Sequence, residues 1–97
     1  MNVQIALDQI GHMNILAISG GRSKVNIVGD LVLPVGAGYS VEVHLAADDT
    51  YTVRRVRTRK LDRFVREITG VYADELGAVA YHASCYSCTT FGELVAA

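Results

Sequence analysis

Residues 39–57 constrain the fold more than any other part of the chain. Tyr39-Ser40-Val41-Glu42-Val43-His44-Leu45 alternates so that positions 39, 41, 43 and 45 share one side of a strand. Tyr51-Thr52-Val53-Arg54-Arg55-Val56-Arg57 supplies its partner. Ala46-Ala47-Asp48-Asp49-Thr50 joins the two, with aspartates whose carboxylates can satisfy turn amides. The pattern predicts a β-hairpin, and so an antiparallel sheet. A chain of 97 residues suits one domain with one modest core, because about 60–68% of the unfolded surface is buried at this size. Its 51% apolar content and single proline argue against disorder.

Around the hairpin, apolar residues at 3, 6, 7 and 10 predict a short N-terminal helix that Gly11 ends. Ile15-Leu16-Ala17-Ile18, closed by Ser19-Gly20-Gly21, is expected to be a buried strand followed by a tight turn. Lys24–Val28 alternates as a strand does, and Leu31-Val32-Leu33 runs into Pro34, which belongs at a strand end or sheet edge. Gly36-Ala37-Gly38 reads as a turn. Leu61–Ile68 reads as a further strand, with a short helix as the alternative, before Thr69-Gly70. Tyr72, Leu76, Val79, Ala80 and Ala83 then recur at helical spacing, with Asp74 and Glu75 expected in the first helical turn. Residues 89–97 offer only Phe91, Leu94 and Val95 as anchors, compatible with a frayed end or a second short packed segment. The expected fold is α+β over residues 1–97: a short N-terminal helix, an antiparallel sheet of about four to five strands, and a C-terminal helix packed on it.

The charge map suggests a binding surface. Seven of the nine basic residues (Arg54, Arg55, Arg57, Arg59, Lys60, Arg63, Arg66) fall between 54 and 66, beside the single acid Asp62. That stretch carries +6 while the formal net charge is -1, so the other 84 residues sum to -7. Guanidinium groups offer paired donors to phosphates and carboxylates alike. Alternation places Arg55, Arg57 and Arg59 on one face and Arg54 and Lys60 on the other. A solvated sheet face is an equally good explanation of such a run. Overall acidity disfavours sequence-blind DNA coating, and only Tyr51 and Phe64 lie near the strip as stacking platforms. The candidate contact face comprises strands 39–59, with Arg54, Arg55, Arg57, Arg59, Lys60 and Arg63, and Asp49 near the turn.

Four stretches, Gln9-Ile10-Gly11, Ile18-Ser19-Gly20-Gly21-Arg22, Asp49-Thr50-Tyr51-Thr52-Val53 and Val71-Tyr72-Ala73-Asp74-Glu75-Leu76, carry a resemblance. In their order and spacing the chain resembles small, roughly 90-residue proteins of phages, prophages and other mobile elements, most of them uncharacterised. Those relatives continue into a longer apolar helix where this chain turns to Tyr81-His82-Ala83-Ser84-Cys85. The resemblance implies an accessory protein acting inside a bacterial host by binding a host protein, a defence component among the candidates. Tyr51 and Tyr72 belong to these motifs and also suit core positions with a hydrogen-bonded hydroxyl.

His82, Cys85 and Cys88 form H-x-x-C-x-x-C, three of the four ligands a structural zinc site needs, with His44, His12 or an acid as the fourth. The second ligand pair typical of such sites is missing, and the simpler account is that Cys85 packs in the core while Cys88 lies in a tail. Gly20-Gly21-Arg22-Ser23-Lys24 lacks phosphate-loop spacing, and no nucleophile elbow is present. The expectation is therefore a non-enzymatic protein without a cofactor. Its partner would be a host protein, with nucleic acid and then a zinc-stabilised module as the alternative readings, and a second copy of the chain as a further partner. The N-terminus shows no charged and apolar leader pattern and no window reaches the roughly 20 apolar residues of a span, so a cytoplasmic location without membrane contact is expected.

Overall fold

Residues 2–20 fold as two short helices sharing one glycine. Helix α1 spans Val3–Ile10, with the Asn2 side chain accepting from the Gln4 and Ile5 amides, and α2 spans His12–Ser19. Gly11 ends the first and begins the second at φ 93°, ψ 141°, a region that side chains with a Cβ avoid. Its amide donates to Leu7 and its carbonyl accepts from Ile15. In the computed structural model the described residues are 2–35, 38–59, 62–84 and 92–96, with backbone alone at 58, 59, 62–65 and 93–96.

Strands follow in chain order: β1 Lys24–Val25, β2 Leu31–Val35, β3 Tyr39–Leu45, β4 Tyr51–Arg59 and β5 Asp62–Val71. Helix α3, Leu76–Ser84, precedes β6, Glu93–Ala96. They form one antiparallel sheet in sequential order, with four long strands in the middle and short pieces at each edge. The fold is α+β. Among the described residues, three helices pack on one face of the sheet, α2 against β2 and α3 against β3 and β4. Their buried residues Ala6, Ile10, Ile15, Ile18, Leu76, Ala80 and Ala83 meet Leu31, Leu33, Val41, Val43, Tyr51, Val53 and Val71 of the sheet. The register pairs Leu31 with Val43, Leu33 with Val41 and Val43 with Val53, so these cross-strand neighbours line one side.

Several expectations are corrected. Ile15–Ile18 is helical, because eight residues lie between Gly11 and the left-handed Gly20 and the Gly20 and Gly21 amides close the final turn on Leu16 and Ile15. Met13 and Leu16 are exposed while Ile15, Ile18 and Ser19 are buried. Apolar side chains thus surround α2 and hide its periodicity. Strand pairing at Lys24–Val28 stops after Val25; the Asn26 side chain then accepts from the Val28 and Asp30 amides and makes a turn. Thr69-Gly70 does not end β5 but forms a bulge, with Gly70 at φ 67°. The extra residue lets Ile68 and Val71, three apart, face the same core. Helix α3 starts at Leu76, and Asp74 and Glu75 sit in the turn before it, where the Glu75 carboxylate accepts from the Tyr72 amide. Tyr72 is exposed, contrary to its expected core role, whereas Tyr51 is buried. Part of the tail is strand β6. Cys85, Cys88, Lys60, Leu61 and the Gly36-Ala37 part of the predicted turn lie outside the described residues.

Candidate functional site

The register sorts the basic strip onto two faces. Arg55 stands opposite Val41 and Arg66, and Arg57 opposite Tyr39, so all continue the core face beyond the helices. Arg55 is only 7% exposed, and its guanidinium carbon sits 5.0 Å from the centre of the Tyr39 ring, with that of Arg57 at 6.0 Å. Arg66 donates to the Gly92 carbonyl at 3.2 Å. Arg54 points to the other face. Arg59 pairs with Asp62 and Arg63 with Thr58 along the backbone ladder, where side chains are outside the described set. The strip is therefore no single patch, and the buried Arg55 is part of the framework rather than an exposed anchor.

On the face opposite the described helices, β3, β4 and β5 set Glu42, Arg54 and Glu67 in one cross-strand row. Arg54 Nε donates to Glu67 Oε2 at 3.1 Å, and an Nη of the same group lies 3.6 Å from Asp30 Oδ2. The other Asp30 oxygen is 2.6 Å from His44 Nδ1. Asp30 sits at the end of the Asn26 turn with its side chain 6% exposed, against 44% for His44. A buried carboxylate thus fixes one imidazole and one guanidinium, each partly exposed. Screening by solvent is weak at Asp30 and strong at His44, so the geometry holds where the carboxylate is and the readable groups lie at its rim. Thr52, opposite His44, is buried beside them. Sequence reading named Arg54 but missed Asp30, His44 as its partner, and Glu67. Their common face follows from pairing partners 13 and more residues apart, which local patterns do not encode.

Asp49 takes φ 66° in the β3–β4 turn, a conformation Asp tolerates better than most residues. Its amide donates to Ala46, and Asp48 accepts from both the amide and hydroxyl of Thr50. Those bonds hold the Asp48 carboxyl below its ordinary value of 3.8. Both aspartates therefore build the turn. Among the described residues, no group of three His, Cys, Asp or Glu is placed to hold a metal ion, and no helix is long and apolar enough to cross a membrane.

The motifs behind the resemblance are mainly structural. Tyr51 donates its hydroxyl to Gln9 Oε1 at 2.6 Å, joining two of them. Gly11 and Gly20 set helix ends, and Leu76 is fully buried. In comparisons with protein-family models, curated proteins and solved structures, nothing matches this chain.

Proposed function

We propose that the chain is a non-enzymatic binding protein that recognises another protein through the sheet face opposite its described helices. The observation that supports this reading is the set of polar groups pinned by buried Asp30. Groups already held in place lose little freedom on binding, and mixed charges select a partner of complementary pattern. The resemblance to small phage and mobile-element proteins points to a protein of the bacterial host cell as that partner, a defence component among the candidates. Division of the arginines between two faces weighs against a continuous phosphate-binding strip.

Affinity capture from bacterial lysate, with and without nuclease and at low and high salt, tests this. One stoichiometric protein is expected to survive both treatments. Ser40→Arg places a long side chain on this face, opposite Val56 and outside the Asp30 network, and should abolish capture, with thermal unfolding checking that the sheet is intact. Recovery of salt-sensitive nucleic acid alone would overturn the reading. So would undiminished capture by the Ser40 variant.

A further inference from the structure

The turn between β1 and β2 projects apolar side chains that the fold does not use. Ile27 is 104% exposed and Val28 72%, with Val25 beside them at 53%. The turn is built rather than loose: Asn26 Oδ1 accepts from two amides, the Asn26 carbonyl accepts from Gly29, and the Asn26 amide donates to the Asp30 carbonyl. Asn and Gly serve such turns well, whereas Ile and Val at the tip are poor choices for water. A rigid apolar tip suits insertion.

A receiving cleft of about 240 Å³ lies on the helix layer, lined by Gln4, Leu7, Asp8, His12, Ile15 and Ser23 among others. It is smaller than the roughly 300–1,000 Å³ typical of small-molecule sites, and its apolar floor of Leu7 and Ile15 suits one or two branched aliphatic side chains. The exposed Leu16 lies at its edge, over Gly21. Charges complement each other as well. Arg22 and Lys24 precede the tip, and Asp8 stands on the rim of the cleft.

Tip and cleft are neighbours in the chain, since Ser23 lines the cleft and Val25 begins the exposed run. A knob next to its own hole is the requirement for a two-fold contact in which each copy fills the other. We propose that two copies of this chain associate in this way, Ile27 and Val28 of one entering the Leu7–Ile15 cleft of the other. Asp8 of each then faces the basic approach to the other's tip. The tip shares the Asn26 turn with Asp30, so the two readings are told apart by their readouts: capture with the Ser40 variant, which lies outside that turn, tests the host-protein reading, and self-association tests this one.

Sedimentation or light scattering across the micromolar range tests it on the full chain. A reversible monomer–dimer equilibrium is expected. Ile27→Asp with Val28→Asp should weaken it by about tenfold or more, with unchanged thermal unfolding of the monomer because the tip is solvent-exposed. Asp8→Lys should weaken association, and adding Lys24→Asp should restore it. A monomer at every concentration would overturn the proposal, as would a dimer indifferent to the tip. An open ladder of larger species would overturn the two-fold arrangement, and loss of monomer binding to another captured protein on tip substitution would assign the tip to that protein instead.

Discussion

Tyr51 shows how one side chain ties local pattern to tertiary structure. Its ring fills the core face of β4 opposite Val71 and Leu45, and its hydroxyl reaches back 42 residues to Gln9 on α1. Burial pushes the hydroxyl above its ordinary value of 10.0. The folded state therefore keeps the phenol proton longer than the unfolded chain. The resulting stability is intact below pH 10 and is lost as pH rises through the raised folded value. Tyr51→Phe should cost about 1 kcal/mol in urea unfolding at neutral pH, the worth of one net hydrogen bond whose acceptor can turn to water. The variant should also lose that part of the alkaline decline, which a pH series of the same unfolding curves would reveal.

At the scale of elements, glycines with positive φ set where helices and strands stop, turn or bulge. Gly11 permits two eight-residue helices to meet without an intervening loop, and no neighbouring atom lies within 4 Å of where a Cβ would stand. Any penalty from adding a methyl is thus backbone strain and not a clash. Gly11→Ala should lower stability by about 1–3 kcal/mol, with far-UV circular dichroism and denaturant titration separating lost helix from lost global stability. Gly70 acts differently, since its bulge turns the end of β5 so that Val71 can enter the core beside Ile68.

Across the whole molecule, the described helices cover one face of the sheet, while on the other Val32, Thr52 and Val56 are buried among half-buried polar residues. The layer closes tightly at Gly77, where a Cβ would stand 2.6 Å from the Ile10 carbonyl oxygen and 2.7 Å from Asn14 Nδ2. Asn14 cannot yield freely, because it donates to that same carbonyl at 2.9 Å. Gly77→Ala should therefore push α3 away from the α1–α2 joint and cost about 1–3 kcal/mol despite the better helix propensity of alanine. Thermal unfolding measures the loss. Opposite the described helices, buried Asp30 holds His44 and Arg54, and Arg54 also pairs with Glu67.

Sequence alone determined the β3–β4 hairpin, α1, the helix through Leu76, Ala80 and Ala83, and the α+β class, because apolar spacing and turn chemistry are local and repeat within a few residues. It also separated Arg54 from Arg55 and Arg57, since alternation along a strand is local too. It misled at α2, where exposed Met13 and Leu16 erase the helical period, and at Tyr72, whose spacing suits a helix that begins only at Leu76. Tertiary structure alone decided that Asp30, His44, Arg54 and Glu67 meet, that Arg55 is buried against Tyr39, and that the Ile27 tip stands free beside a cleft. Those facts depend on strand register and on which face the helices cover, and both are set by contacts between residues far apart in the chain.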